Sequence, residues 1–354
     1  MKAAFADVAH GASSAPAWVD LRGDWSTLCA RDARGTVACA FLDEDFSCVH
    51  APCTGREPKH FRARPYRVPQ IATTAIAVAP TFLLREDGSV SAFRLELDRE
   101  AVLEDVPWFH GALTIDAASG ELFPVSGIAV SDNIQSATTT CARMPANEIR
   151  CSMPTSSFRP PKQLTLRMAS SAISIGWQFA CAITATAARA VMCWGANNKG
   201  QLGDGTRRSS DAAVLVRGLG DVIQIDATAS SACALRADGR VACWGRGWDG
   251  DTHDTPQWVP GLTNIAEIAV GLDYLCARLR SGAITCLGKN DHQQLGSNEA
   301  TEGLGHSTID GLDAVVHVVA LQDTTCALRS NHSIVCWGRF MAPETITLPT
   351  SGQL

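Results

Sequence analysis

Fourteen cysteines in 354 residues give this sequence its main capacity for chemistry. Twelve of them fall into six pairs on one plan: Cys29/Cys39, Cys141/Cys151, Cys181/Cys193, Cys233/Cys243, Cys276/Cys286 and Cys326/Cys336. Five pairs are ten residues apart and the third is twelve. Thiols at this density form disulfides in an oxidising compartment, ligate a metal, or stay reduced and buried. Zinc needs four ligands at close range, whereas successive pairs here start 40 or more residues apart and each is self-sufficient. One copy of the pattern, FLLREDGSVSA (82–92), carries Phe82 and Ala92 where the cysteines stand elsewhere. A large and a small side chain filling the same space suit a structural staple, and thiol chemistry could not accept them. The last two cysteines, Cys48 and Cys53, lie in CVHAPC (48–53), with His50 between them and His60 nearby. That cluster offers either a soft-metal site or a small disulfide loop; the loop leaves all fourteen cysteines paired.

Short strands must position these pairs. The copy CALRADGRVACWG (233–245) reads as a hairpin whose three-residue loop is Ala237-Asp238-Gly239, a type I turn followed by one left-handed residue. Gly239 takes the left-handed place, where the missing Cβ removes the steric cost. Its counterparts are Gly35, Gly88, Asn147, Gly282 and His332, all residue types that tolerate that conformation. Counting back from a hydrogen-bonded closing pair, Arg236–Arg240, places Cys233 opposite Cys243 in a non-hydrogen-bonded pair. Such partners have Cα atoms about 4.5 Å apart, within reach of a disulfide. A cross-strand disulfide is expected in each copy.

An apolar strand leads into each hairpin: VIQIDATASSAC (222–233), IAEIAVGLDYLC (265–276) and VVHVVALQDTTC (315–326). Four copies continue from the second cysteine into Trp-Gly or Leu-Gly, and Pro/Gly-rich stretches such as TPQWVPGL (255–262) read as turns between copies. Several short strands in every ~40–50 residues are the signature of propeller blades. The run CWGANNKGQLGDGT (193–206), followed by CALRADGRVACWG, resembles the regulator of chromosome condensation repeat family. LGKNDHQQLGSN (287–298) is a degenerate second match to its Gly-x-Asn…Gln-Leu-Gly part. The resemblance is strong over 165–340 and weaker over 17–160. It implies an all-β fold, a single β-propeller usually of seven blades, that binds partners through loops on its faces.

The expected organisation is a flexible tail over 1–16 followed by a propeller over 17–349. Seven blades are expected. The segment ALTIDAASGELFPV (112–125) is an insertion or an alternative eighth blade, with spacing too short for two full blades around it. The first repeat opens at AWVDLRGDW without the lead-in of the other copies. The C-terminal strand PETITL (343–348) is expected to pair with it, closing the ring and covering an edge that invites aggregation.

A hydrophobic content of 46% supports a sizeable core, and a net charge of −6 provides no basic field for nucleic acid or anionic lipid. The longest apolar run, IATTAIAVAP (71–80), is short of the ~20 residues of a membrane helix. Neither nucleic-acid binding nor membrane insertion is expected. Motifs of zinc proteases, serine hydrolases, phosphate loops and dinucleotide folds are missing. Nine histidines, scattered without ligand spacing, read as solvated loop or turn residues. The expectation is therefore no catalytic group, no metal site and no cofactor.

The segment GRGWDGDTHDT (245–255) departs from the repeat, replacing the Asn-x-x-Gly-Gln-Leu-Gly pattern of the preceding blade. Asp249, Asp251 and Asp254 offer oxygens, but the loop lacks the length and bidentate Glu of a helix–loop–helix calcium site. Specific binding concentrates in loops on a rigid scaffold, and large aromatics anchor interfaces. The segment is read as exposing Trp248, and Trp248, Asp249, Asp251 and His253 are the candidate partner contacts. The alternative packs Trp248 against the next blade.

The functional expectation is a monomeric, non-enzymatic propeller, secreted, periplasmic or on the cell surface. It binds a protein or a surface glycan through face loops. The N-terminus is a poor secretion signal, since Asp7 and His10 interrupt its apolar centre. The family resemblance also admits an intracellular nucleotide-exchange or regulatory role, or the inhibition of a secreted β-lactamase by a propeller face. A propeller enzyme would instead need acidic or histidine residues converging on the central channel.

Overall fold

A computed structural model describes residues 18–24, 27–32, 37–43, 62–66, 75–79, 82–85, 90–95, 101–105, 140–144, 147–153, 162–296, 304–309, 312–338 and 341–346. These residues form strands joined by turns, arranged in seven antiparallel sheets. The first sheet holds β1 (Trp18–Asp24), β2 (Thr27–Asp32), β3 (Val37–Asp43) and β4 (Arg62–Tyr66). The second holds β5 (Ala75–Ala79), β6 (Phe82–Arg85), β7 (Val90–Leu95) and β8 (Ala101–Asp105). The third is described as three strands, β9 (Thr140–Met144), β10 (Glu148–Met153) and β11 (Lys162–Arg167). The fourth contains β12 (Ser170–Gly176), β13 (Phe179–Thr184), β14 (Val191–Gly195) and β15 (Ser210–Leu215). In the fifth are β16 (Val222–Thr228), β17 (Ser231–Arg236), β18 (Val241–Arg246) and β19 (Thr252–Trp258). The sixth is β20 (Ile265–Gly271), β21 (Tyr274–Leu279), β22 (Ile284–Lys289) and β23 (Leu304–Thr308). The seventh is β24 (Val315–Ala320), β25 (Thr324–Arg329), β26 (Ile334–Gly338) and β27 (Met341–Ile346).

Each sheet is a blade of an all-β propeller. The first strands lie innermost and touch in order round the ring: β12 against β16, β16 against β20, β20 against β24, and β24 against β1. The candidate eighth blade at 112–125, the tail 1–16 and the Cys48/Cys53 loop with His50 and His60 lie outside the described residues.

The hairpins form as the turn chemistry requires. Arg236 N donates to Arg240 O (2.9 Å) and Gly239 N to Arg236 O (2.9 Å). The same pair of bonds recurs around Leu279–Ala283 and Arg329–Ser333. Gly239 (φ 81°), Gly282 (87°), Asn147 (58°) and His332 (68°) all occupy the left-handed region, whereas Gly35 and Gly88 lie outside the described residues. Cys233 stands opposite Cys243, and Phe82 stands opposite Ala92 in the copy without cysteines. Five disulfides follow: Cys141–Cys151, Cys181–Cys193, Cys233–Cys243, Cys276–Cys286 and Cys326–Cys336, with Cα separations of 4.0–4.1 Å. Cys29 and Cys39 are direct backbone partners.

Packing between blades uses the two-residue period of a strand. In β18, Cys243 points into the cluster shared with the sixth blade, while Trp244 points back into the cluster shared with the fourth. The Cys181–Cys193 disulfide therefore shares a core with Trp244, Cys276–Cys286 with Trp337, and Cys141–Cys151 with Trp194. Leu287 does the same for Cys233–Cys243, which explains the Leu-Gly variant of the motif. All three tryptophans are fully buried.

Two expectations are corrected. Strand β27 pairs with β26 of its own blade, Cys336 opposite Glu344; it does not pair with the first repeat. The first sheet already completes its four strands from β1–β4, with β4 in the outer place beside β3. The ring closes instead through side chains: Trp18, Leu21, Leu28 and Ala30 pack against Val319, Leu321, Leu328 and Ile334. His332 Nδ1 adds a hydrogen bond with Trp18 O (3.0 Å). The TPQWVPGL run begins as strand, since Thr255–Trp258 end β19, an outer position where proline is tolerated.

A staple over so short a loop contributes about 2–3 kcal/mol in the chain-entropy model. The double variant Cys233→Ala/Cys243→Ala should lose that much in urea unfolding. An unchanged midpoint would remove the staple argument.

Candidate functional site

The strand order gives the propeller two unlike faces. Turns between first and second strands share one face with the loops between third and fourth strands. Arg246 N donating to Ser230 O (2.9 Å) ties the two together. The disulfide hairpins share the other face with the links between blades, as Ala237 N to Asp221 O (2.9 Å) and Ile265 N to Gly239 O (3.2 Å) show.

On the first of these, the turn face, the Gly-x-Asn…Gln-Leu-Gly loops are devices for holding the next blade. Buried Asn197 accepts from Leu202 N (2.9 Å) and donates to Thr206 O (3.0 Å) and Arg208 O (3.1 Å). Asn290 accepts from Leu295 N in the same way (3.0 Å). Fixed like this, Gln201 O accepts from Trp244 Nε1 (2.9 Å) and Gln294 O from Trp337 Nε1 (3.1 Å). Gly203 (φ 63°) lets the indole approach, since a Cβ there would meet Trp244 Cδ1 at 2.9 Å.

The fifth blade lacks that loop. Its strands run on to Arg246 and restart at Thr252, leaving only Gly247–Asp251 between them. Gly247 N donates to Asp251 O (2.7 Å) and Asp251 N to Asp249 Oδ1 (3.1 Å). His253 Nε2 bonds Asp249 Oδ2 (2.8 Å). Arg246 Nε reaches Asp273 Oδ1 of the next blade (3.1 Å), and Asp254 Oδ1 takes Arg207 Nε of the preceding one (2.8 Å). Three of the four sequence candidates, Asp249, Asp251 and His253, thus come together. Trp248 does not stand exposed beside them. It is half-buried and packs against the apolar cluster between the fifth and sixth blades, because the shortened loop folds it inward. Asp254 is engaged by Arg207, away from Asp249, and no three His, Cys, Asp or Glu among the described residues are placed to hold a metal. The exposed aromatic on this face is Trp177, 47% accessible, in the turn after β12.

A second polar arrangement escaped the sequence reading. Asp20, Glu267 and His317 occupy the same place, just after the register slip, on inner strands β1, β20 and β24. His317 Nδ1 contacts Glu267 Oε1, and its Nε2 faces Asp20 Oδ1 at 3.8 Å. Each carboxylate has an arginine across the hairpin: Arg278 Nε lies 2.9 Å from Glu267 Oε2, and Arg31 Nε 3.9 Å from Asp20 Oδ2. His317 is therefore a half-buried inner-strand residue, contrary to the expectation of solvated loop histidines. The signal was present in the aligned runs VIQI, IAEI and VVHV, whose one polar position becomes Gln224, Glu267 and His317. Gln224 binds the next blade's backbone, giving to Ile268 O (2.7 Å) and accepting from Ile268 N (2.9 Å). Burial by itself would raise the Glu267 carboxyl; hydrogen bonds and charge from His317 and Arg278 outweigh it and hold the group below its ordinary value.

Seven described blades, stapled hairpins and partly replaced face loops define an RCC1-like β-propeller. The model of the regulator of chromosome condensation (RCC1) repeat matches residues 171–201 and 222–250. The human E3 ubiquitin-protein ligase HERC2 is 27% identical over 203 residues, which cover 50% of this chain and 4% of that protein. The guanine nucleotide exchange factor SRM1 of Saccharomyces cerevisiae is 29% identical over 134 residues, 33% of this chain and 28% of that protein. The chain thus spans only a small part of these curated relatives. Among solved structures, Prp20p from Saccharomyces cerevisiae, studied for its binding to Gsp1p and histones, superimposes with a TM-score of 0.56 at 13% identity. That match covers 93% of this chain and 77% of Prp20p. The bacterial surface component PorZ of Porphyromonas gingivalis gives 0.51 at 10% identity, covering 96% of this chain and 39% of PorZ. These likenesses show the fold.

A carboxylate whose folded pKa is depressed stabilises above its unfolded value and loses that contribution as pH falls through the folded one. Unfolding free energy should therefore drop as pH falls below 4.5, the ordinary value of Glu267. Glu267→Gln should cost about 1–3 kcal/mol at neutral pH and flatten that part of the acid limb in urea titrations. A limb of unchanged slope would contradict the assignment.

Proposed function

We propose that this chain is a non-enzymatic propeller that binds a protein partner through loops on its faces, outside the reducing cytoplasm. The observation that carries the reading is the contrast on the turn face. The repeat loops of the fourth and sixth blades accept the next blade's indole N–H, while Gly247–Asp251 touches the next blade through Trp248 and presents Asp249, Asp251 and His253. Trp248 supports the loop from beneath. The binding of Prp20p to other proteins supports a partner-binding use of the fold. Five disulfides among the described residues favour an oxidising compartment.

Two alternatives have specific support. A nucleotide-exchange or regulatory role is favoured by the similarity to SRM1. An enzyme of the central channel is favoured by the convergence of Asp20, Glu267 and His317. Paired arginines neutralise both carboxylates there, which suits a structural network better than a general base.

A photo-crosslinking residue at exposed position 251 should capture a discrete partner, and one at Ala212 on the outer strand β15 should not. Asp249→Ala should weaken that partner's binding about tenfold, equivalent to roughly 1.4 kcal/mol. Equal cross-linking from both positions would sink the loop assignment. Protein from its native source, denatured without reductant, should show almost no free thiol. A count near fourteen would place it in a reducing compartment and favour the exchange role.

A further inference from the structure

The tip of the seventh blade's hairpin carries two groups that its turn does not require. Ser330, Asn331 and His332 form the loop, closed by Arg329 N donating to Ser333 O (2.9 Å) and His332 N donating to Arg329 O (2.9 Å). Within it, Asn331 Oδ1 accepts from Ser333 N (3.0 Å), the turn bond of a short polar side chain. The fifth blade makes the same bond with a carboxylate, Asp238 Oδ1 accepting from Arg240 N (3.1 Å). The sixth has a hydroxyl in that place, Ser281 Oγ facing Ala283 N at 3.5 Å. The turn thus uses an acceptor oxygen and no amide nitrogen. Asn331 Nδ2 accordingly makes no hydrogen bond among the described residues. A hydroxyl two places on is not needed either, since Ala283 fills that place in the sixth blade.

The two surplus groups meet: Ser333 Oγ donates to Asn331 Oδ1 (2.6 Å). Asn331-His332-Ser333 is the only Asn-x-Ser/Thr triplet in the sequence, the acceptor pattern for N-linked glycans when x is not proline. Such acceptors lie on surface loops of secreted proteins, and Asn331 is exposed. The neighbouring charges are paired with each other, Arg329 Nη2 with Asp313 Oδ1 (2.5 Å), and not with the amide.

We propose that Asn331 is a glycosylation site that carries an N-linked oligosaccharide on the hairpin face. The proposal rests on the reading of an oxidising compartment, where the disulfides also form. The co-reactant is an oligosaccharide joined through its anomeric carbon to a lipid diphosphate. The bond from Asn331 Nδ2 to that carbon forms as the carbon–oxygen bond to the diphosphate breaks. The diphosphate leaves with the electron pair, and one amide proton passes to a base of the transferase. The Ser333 hydroxyl on Oδ1 stabilises the charge that reaches the amide oxygen as Nδ2 loses its proton. The contacts that set this geometry lie within residues 329–333, so the hairpin presents it without the rest of the ring. The sugar covers part of the hairpin face and leaves the Gly247–Asp251 loop, on the opposite face, open to a partner.

Tryptic digestion of the reduced and alkylated protein from its native source isolates peptide 330–339, in which Asn331 is the only asparagine. Expected is a peptide heavier by a series of hexose-containing masses. Peptide-N-glycosidase in heavy-oxygen water should convert it to one form with labelled aspartate at 331. Expressed in the same source, Ser333→Ala should lose nearly all of that glycan and Ser333→Thr should keep it. Asn331→Asp should lose all of it and still fold, since a carboxylate holds this turn in the fifth blade. An unmodified Asn331 in protein without free thiols overturns the site and leaves the compartment reading standing. An unmodified Asn331 in thiol-rich protein overturns both. A glycan retained in Ser333→Ala overturns the assignment too.

Discussion

Every described interface between neighbouring blades depends on a forward-facing disulfide or its surroundings meeting a backward-facing large side chain. Adjacent residues of one strand, such as Cys243 and Trp244, project to opposite sides of the blade. One dipeptide therefore serves two interfaces, and its recurrence in the fourth to seventh blades, with Leu287 once in place of tryptophan, builds that part of the ring. The disulfide holds a hairpin at the separation at which its neighbour's indole packs, and for Trp244 and Trp337 the loop ahead of the indole accepts its N–H. Leu287 in place of tryptophan keeps the plan with another side chain, and Phe82 stands opposite Ala92 where other blades carry a cystine.

Closure of the ring follows from the same logic applied without a shared strand. The first and last sheets each complete themselves from contiguous chain, so the seam between them is held by side chains alone. Trp18 and Leu21 enter the seventh blade's core, His332 reaches the backbone of Trp18, and His317 stands between Asp20 and Glu267. The polar chain from Arg31 to Arg278 crosses three blades at the point where the chain has no covalent continuity. Elsewhere inner strands are linked by side chain to backbone, as when Asp226 accepts from Val270 N (2.8 Å).

A scaffold this constrained leaves its faces free to vary. The turn face spends the described repeat loops of the fourth and sixth blades on the neighbouring blade, so binding capacity there falls to the loop that breaks the pattern. The hairpin face is fixed by turn geometry. It leaves the bulged inner-strand residues Val19, Ile223 and Val316 exposed. The two faces thus differ in kind: one presents Asp249, Asp251 and His253 at a single blade, the other exposes Val19, Ile223 and Val316 on three blades.

The sequence by itself determined the strands, the hairpin turns, the cross-strand register and the disulfides built on it, because these rest on contacts within about fifteen residues. Turn chemistry at Gly239, Asn147 and His332 and the alternation around each Cys pair are local properties that survive without knowledge of the neighbours. The seven described blades each correspond to one of those local units. What only the tertiary structure decided depends on which blade stands beside which. Strand 341–346 completes its own sheet because it takes the outer place beside β26, as β4 does beside β3 in the first sheet. Trp248 turns inward because a shortened loop meets the cluster of the sixth blade. Asp20, Glu267 and His317 meet because a closed ring brings residue 20 beside residue 317. The exposure of Val19, Ile223 and Val316 comes from register slips that neither composition nor the hydrophobic period encodes. In each case the deciding contact joins parts of the chain about twenty to three hundred residues apart or turns on a one-residue shift of register, and side-chain periodicity records neither.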